Sequence, residues 1–213
     1  MKKVLIINAS ARTTNSHSRA LTKVFVDHWK IIHHKAVMSF RELGNTDVPH
    51  VTDTWIAANQ KQIADRTQQD VDVLKISDSY IDELRRADII VLGTPMYNWS
   101  IPSALKAYID QVLRVNETFR INPAEVKQPY VGLLENKTLC LLVARGGQNY
   151  ESGQQDEHLN FQTTYLKMVF SMIGIRNIHV VAVNGTSLDK EQLKKSIAVA
   201  HNDIIELVEQ KLV

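Results

Sequence analysis

The sequence of 213 residues is poor in cysteine and glycine, with one cysteine and eight glycines. A single thiol allows no disulfide within the chain and no cysteine metal cluster. The glycines form neither the G-x-G-x-x-G nor the G-x-x-x-x-G-K-[ST] pattern, so the usual dinucleotide fingerprint and the P-loop are both missing. Cys140 lies inside an apolar run, where buried packing is its expected role.

The chain also lacks a charge imbalance and long hydrophobic runs. Its 25 Lys and Arg residues against 23 Asp and Glu residues give a formal charge of +2, without a basic block, so we expect no nucleic acid and no membrane partner. No apolar run approaches the ~20 residues of a membrane span, and the N-terminal run is too short for a signal-peptide core. Because a signal-peptide core and a membrane span are both missing, we expect a cytoplasmic protein. None of the eight histidines shows H-x-x-x-H spacing, so no metal site is expected.

The composition is that of an ordinary globular protein, with 44% hydrophobic and 23% charged residues. We predict one domain spanning residues 1–213. Five apolar runs alternate with helical patterns and begin at Lys3, Ala36, Ile89, Thr138 and Ile178. The polar stretch from Asp47 to Ala87 is predicted to hold one helix. Residues 117–137, which contain two prolines and a glycine, interrupt the alternation and are predicted to form an ordered insertion.

Strands that alternate with helices predict an α/β protein with a doubly wound, five-stranded parallel sheet and helices on both faces. A first strand that ends in a phosphate-type loop favours the order 2-1-3-4-5 of flavodoxin-like folds. In that order the first, third and fourth strands are neighbours. The loops after them, residues 10–18, 95–99 and 145–147, should then converge on one crevice at the carboxyl edge.

Loop 10–18 carries several hydroxyl residues just before a predicted helix, with Asn15 or Ser16 as its N-cap. Free N–H groups and the positive end of the helix dipole favour an anion there. Because the dinucleotide fingerprint is missing, a mononucleotide phosphate is favoured. The alternative is that these residues only cap the helix and form turns.

Loop 95–99 combines a proline with amphipathic, largely flat side chains and leads to Pro102, which suits a helix start. Such a loop can hold a planar heterocycle, although an ordinary surface loop is the alternative. The pair Gly146-Gly147 in the third loop allows close backbone approach to a ligand.

Several of these pieces together resemble the FMN-dependent NADH:quinone oxidoreductases known as azoreductases. The pieces are Ser10, Ser16-His17-Ser18, Thr94-Pro95-Met96-Tyr97-Asn98, Ile101-Pro102, Leu105-Lys106, Thr118-Phe119-Arg120, Gly132-Leu133-Leu134, Ala144-Arg145-Gly146-Gly147 and Ile173-Gly174-Ile175. The resemblance covers almost the whole chain. It implies a flavodoxin-like homodimer that binds FMN, takes electrons from NADH or NADPH, and reduces quinones and azo compounds.

The resemblance also implies roles for individual residues. The FMN phosphate would be held by Ser10, Ser16, His17 and Ser18. The isoalloxazine ring would be lined by Pro95, Met96, Tyr97, Asn98 and Trp99, and its polar edge bordered by Ala144, Arg145, Gly146 and Gly147. Trp99, Ile121 and Met172 would contact the substrate. His17 stands where relatives often have glutamine, and Ile121 and Met172 stand where relatives often have aromatic residues.

The implied chemistry belongs mainly to the cofactor. Hydride would pass from NAD(P)H to flavin N5, and two electrons would then pass to the acceptor in a ping-pong scheme that needs no side-chain nucleophile. A flavodoxin-type electron carrier without NAD(P)H oxidase activity is the alternative, although such carriers are usually shorter and strongly acidic. A phosphoacceptor regulator would need an aspartate at a strand end, where this chain has Asn8 and Thr94.

Overall fold

The structure is a computed structural model that describes residues 2–212. Its strands are Lys3–Asn8 (β1), Val37–Glu42 (β2), Ile89–Pro95 (β3), Phe119–Ile121 (β4), Tyr130–Gly132 (β5), Thr138–Ala144 (β6) and Asn177–Val183 (β7). Its α-helices are His17–Ile32 (α1), Asp53–Gln60 (α2), Gln68–Arg86 (α3), Ser103–Val112 (α4), Thr163–Met172 (α5) and Lys190–Glu206 (α6), and α6 runs on into a π-helical turn, Leu207–Lys211.

Five of the strands form one parallel sheet in the order β2-β1-β3-β6-β7. With the short strands β4 and β5 set aside, this is the predicted order 2-1-3-4-5. The predicted fold class is therefore confirmed. The carboxyl ends of β1, β3 and β6 are adjacent, as that order requires.

The sheet is covered by helices on both faces because its central strands carry apolar side chains on both faces. Side chains on one face, such as Leu5 and Leu92, pack in a core with α3, α4 and α5. Side chains on the other face, such as Ile6 and Val91, pack with α1 and α6. Cys140 belongs to this second core and is fully buried, and burial raises the pKa of its thiol to about 12.

The stretch between β2 and β3 holds two α-helices and a 3-10 turn at Ile63–Asp65, so the prediction of one helix was wrong. Each α-helix has its own threonine N-cap, Thr52 for α2 and Thr67 for α3. Trp55 of α2 is buried against Leu74 of α3 in a small separate cluster. This packing stabilises a helix whose length alone, 8 residues, is marginal.

The insertion at 117–137 contains an antiparallel hairpin of β4 and β5. Gly132 of this hairpin lies so close to the end of α5 that a Cβ atom there would be 2.1 Å from the backbone nitrogen of Gly174. The hairpin is thereby held against α5. It leaves Ile121 and Tyr130 about half exposed, at 52% and 51%.

Within residues 2–212 no helix is both long and apolar enough to cross a membrane.

Candidate functional site

A cavity of about 340 Å³ opens at the carboxyl edge of the sheet, within the size range of small-molecule sites. The loops after β1, β3 and β6 all contribute to its walls, and the segment after β7 adds Thr186 and Ser187. The predicted convergence of three loops is therefore present.

The first wall is the turn that leads into α1, and Ser10, Ser16, His17 and Ser18 all line the cavity there. The Ser16 hydroxyl caps the helix by accepting from the backbone N–H of Arg19 at 3.4 Å, and it lies 3.3 Å from the Ser18 hydroxyl. The N–H groups of His17 and Ser18 have no acceptor within residues 2–212. Free donors and hydroxyls at a helix start are groups that suit an anion.

Arg19 stabilises the backbone of this wall. Its guanidinium forms a bidentate pair with Glu42 at the end of β2, with both N···O distances at 2.6 Å. It also donates to the carbonyl oxygens of Arg12 and Ser10, each at 2.7 Å. Bidentate charged contacts fix geometry as well as charge, so the loop is held in shape before any ligand binds.

The second wall is formed by Pro95, Met96 and Tyr97. The N–H of Met96 donates to the carbonyl of Ala144 at 2.8 Å and joins this wall to β6. Tyr97 and Ser100 then exchange two backbone hydrogen bonds of 3.0 Å, which closes a tight turn. The wall is therefore short and rigid.

Asn98 and Trp99 occupy the two central positions of that turn, with φ angles of +48° and +63°. Two positive φ values are the signature of a type I′ turn, in which Asn-Gly is the preferred pair. Neither residue lines the first cavity. The Trp99 side chain is 53% exposed and is available to a planar guest.

A second cavity of about 540 Å³ lies beside the first, and Tyr97 borders both. Its other lining residues include Asn98, Ile101, Lys106 and Tyr165. A hydrogen-bonded pair with Asp110 raises the pKa of Lys106. The Lys106 ammonium group is thus paired with a carboxylate of its own helix.

The third wall is the segment 144–147, of which Ala144 and Gly146 line the cavity. The carbonyls of Gly146 and Gly147 accept from the backbone N–H groups of Ser187 and Gly185 at 3.2 and 2.7 Å. The N–H groups of the two glycines, in contrast, find no acceptor in the described part of the chain. Of these two donors, the Gly146 N–H belongs to a residue that lines the cavity and is free for a ligand.

Arg145 does not reach the cavity with its side chain. Its guanidinium is fully buried, and it donates to Gln162 and Thr163 at 3.0 and 3.2 Å. Its backbone connects Ala144 to Gly146, the two residues of this segment that line the cavity. Gly147 does not line the cavity either, and the Tyr150 hydroxyl lies 2.6 Å from where a Cβ atom of Gly147 would be.

Ile121 and Met172 lie on the hairpin and at the end of α5, and neither lines the cavity within one chain. Conversely, Arg12, Asn15, Thr186 and Ser187 line it without having been predicted. Asn15, with a φ of +53°, and Arg12 lie within the predicted phosphate loop and could have been included. The segment after β7 carries no motif that points to a ligand.

Within residues 2–212 no three His, Cys, Asp or Glu side chains are grouped so that they could hold a metal ion.

Comparisons with known proteins agree with this architecture. A family model described as a flavodoxin-like fold matches residues 2–208. An FMN-dependent NADH:quinone oxidoreductase of Nostoc punctiforme is 36% identical over 211 residues, which cover 99% of this chain and 100% of the relative. The chain belongs to this oxidoreductase family. A second member, from Hydrogenovibrio crunogenus, is 38% identical over 94% of this chain and 96% of its own length.

A solved structure from the same group shows a similar backbone. The FMN-dependent NADH-azoreductase of Bacillus anthracis str. Ames Ancestor, determined in complex with FMN, has a TM-score of 0.85 and 25% identity, with 99% of this chain and 100% of that chain covered. The family resemblance noted in the sequence is therefore confirmed.

Proposed function

We propose that this chain binds FMN and carries two electrons from NADH or NADPH to quinones and azo compounds. The observation that supports this most is that one cavity is bordered both by a hydroxyl-rich helix start and by Gly146, whose N–H is free. The names of the relatives, FMN-dependent NADH:quinone oxidoreductase and azoreductase, agree with it.

The residues present fit FMN in two respects. The helix start at Ser16, His17 and Ser18 offers unpaired N–H groups and hydroxyls, which suit a phosphate. Residues 95–97 offer a short, rigid wall for a planar ring, and the free N–H of Gly146 suits an acceptor atom at the edge of that ring.

FMN, when bound, supplies hydride transfer at N5, so no side-chain nucleophile is required. The chain would contribute binding, orientation and electrostatics. The free Gly146 N–H would donate toward negative charge that develops on the ring side of the site. Trp99 would provide a surface on which planar substrates stack.

We further propose that the donor and the acceptor use the same face in turn. Loop 95–99 and the segment 144–147 border the cavity from two sides, which leaves room for one planar guest at a time. This predicts ping-pong kinetics and competition between NAD(P)H and the acceptor.

The active form is proposed to be a homodimer. Exposed apolar side chains on and near the hairpin, including Ile121, Val126 and Tyr130, form a surface that a second copy could cover. A second copy is also needed if Ile121 and Met172 are to contact substrate, because they do not line the cavity of their own chain. A cytoplasmic location stays a prediction from the composition.

The decisive experiment mixes the FMN-saturated protein with NADH or NADPH anaerobically in a stopped-flow instrument. Rapid loss of flavin absorbance is expected, and steady-state assays with small quinones and azo dyes should give parallel double-reciprocal lines. Intersecting lines would show that both substrates bind together. If NAD(P)H does not bleach the bound flavin, the oxidoreductase proposal fails and the electron-carrier alternative takes its place.

A further inference from the structure

Arg145 is one of the largest fully buried side chains in the molecule, and its contacts account for the whole guanidinium. Its Nε donates to Gln162, one Nη donates to Thr163, and the other forms an ion pair with Glu151. The same Nη also lies 3.5 Å from the Asn184 amide oxygen. A buried charge persists only when it is paired and hydrogen-bonded in this way.

This network joins two walls of the cavity. The Gln162 side chain is fully buried, accepts from Arg145 through its oxygen, and donates through its nitrogen to the carbonyl of Thr94 at 3.4 Å. Thr94 immediately precedes loop 95–99, and Arg145 immediately precedes Gly146. The side chains of Arg145 and Gln162 therefore connect the end of β3 to the end of β6.

The guanidinium charge also lies near the glycine segment of the third wall. Its Cζ atom is 5.6 Å from the centre of the Tyr150 ring, and that ring packs directly against Gly147. Glu151, the acidic partner, is 47% exposed on its side-chain surface. Water screens an exposed carboxylate, so it offsets the buried positive charge only in part.

We propose that Arg145 is a positioning residue that acts on bound FMN without touching it. It fixes the Gly146-Gly147 backbone relative to loop 95–99, and it places a buried positive charge close to the wall that contains the free Gly146 N–H. The charge should raise the reduction potential of the flavin, because a nearby cation stabilises added negative charge. This inference rests on the proposed function.

Two substitutions distinguish the positioning effect of the Arg145 side chain from the effect of its charge. Arg145→Gln removes the charge and the forked donor, while Arg145→Lys keeps the charge and loses the fork. We expect R145Q to weaken FMN and riboflavin by the same factor, about tenfold or more, because the guanidinium hydrogen bonds that hold the Gly146 backbone in place relative to loop 95–99 are lost, and both flavins share the ring that this wall borders. The flavin midpoint potential should become more negative in R145Q and stay near the wild-type value in R145K.

Arg114→Gln is the matched control. Arg114 is equally buried, pairs with the half-exposed Asp78, and lies 5.8 Å from the ring centre of Trp55, but it lines neither cavity. R114Q should lower thermal stability while the affinity for both flavins and the potential stay at wild-type values.

A purely structural role for Arg145 would overturn the inference. It would be shown by an R145Q protein that is less stable but keeps wild-type flavin affinity and potential. If R145Q does not fold, Gln162→Met serves instead, because it breaks the link to Thr94 and keeps the charge. Q162M should weaken both flavins without shifting the potential, and unchanged affinities would also overturn the inference. Failure of the wild-type protein to bind FMN would refute the proposed function instead.

Discussion

Trp99 adopts a backbone conformation that residues other than glycine rarely adopt. The left-handed region costs an ordinary residue about 1–2 kcal/mol, and Trp99 lies in it at a φ of +63°. Burial does not compensate, since the side chain is 53% exposed. Such strain next to Asn98, which lines the second cavity, supports the proposal that the indole contacts substrate.

Replacing Trp99 with glycine should therefore stabilise the fold relative to Trp99→Ala by about 1 kcal/mol, because only glycine removes the left-handed strain. Urea unfolding of the FMN-free proteins measures this difference. Both variants should raise KM for aromatic acceptors more than they change FMN affinity, since stacking contributes ~0.5–1.5 kcal/mol beyond burial. Equal stability of the two variants would show that the turn is not strained.

The phosphate placement is tested by replacing Ser16 and Ser18 together with alanine. FMN binding should weaken by a few kcal/mol, because each hydrogen bond to a charged group contributes roughly 1.5–3 kcal/mol. Titration by flavin fluorescence measures the change, and riboflavin, which lacks the phosphate, is the matched ligand control. A double variant that binds FMN as the wild type does would place the phosphate elsewhere.

Among the elements, α3 has an unusually complete N-terminus. Thr67 and Asp70 cap each other's backbone N–H groups, and both Asp70 oxygens also accept from Lys61, at 2.9 and 2.7 Å. These contacts, with the Lys61 hydrogen bond first, lower the pKa of Asp70 from 3.8 to about 2. Since the folded pKa is below the unfolded one, Asp70 stabilises the fold above about pH 4, and this contribution is lost as the pH falls toward 2.

Asp70→Asn should accordingly be less stable than the wild type at pH 7, and the gap should close between about pH 4 and pH 2. Urea midpoints at pH 7, 4 and 2.5 follow this change. Asp27→Asn is the control, because Asp27 pairs with Lys23 on an exposed face, where such pairs contribute little. A gap for D70N that is the same at every pH would refute the assignment.

The sheet could be predicted because each of its strands is an uninterrupted apolar run or a clear alternation, flanked by turn residues. The cavity could then be predicted from the strand order, because that order decides which loops lie next to one another. Ser10, Ser16, Pro95 and Gly146 line it where the loops were expected to converge.

The hairpin and the position of Arg145 could not be predicted, because they depend on contacts between residues that are distant in sequence. The hairpin strands β4 and β5 have 3 residues each, too few for a periodic pattern, and packing against α5 helps to hold them. The family resemblance implies that Arg145 borders the polar edge of the ring, but its guanidinium is buried in the protein, where it contacts Gln162 and Glu151. Neither partner could be recognised before the fold was known.

At the scale of the whole molecule, the proposed dimer has a direct test. Sedimentation equilibrium at micromolar protein should give twice the chain mass of 24.2 kDa, and Tyr130→Glu on the hairpin should shift it to monomer and abolish activity. Ile63→Glu, at a residue that is 74% exposed between α2 and α3, is the matched control and should leave the dimer intact. A wild-type protein found only at 24.2 kDa would contradict the proposal.

The burial of Cys140 should protect its thiol from reaction with quinones. Quinones are electrophiles that alkylate thiols, and the reactive species is the thiolate. The single thiol of this chain is closed off from solvent in the core between the sheet, α1 and α6. Its pKa of about 12 leaves almost no thiolate at neutral pH. Mass spectrometry should therefore find no quinone adduct on Cys140 after prolonged turnover, whereas the urea-unfolded chain should gain one, so that the proposed substrates do not inactivate the folded enzyme through its own sulfur.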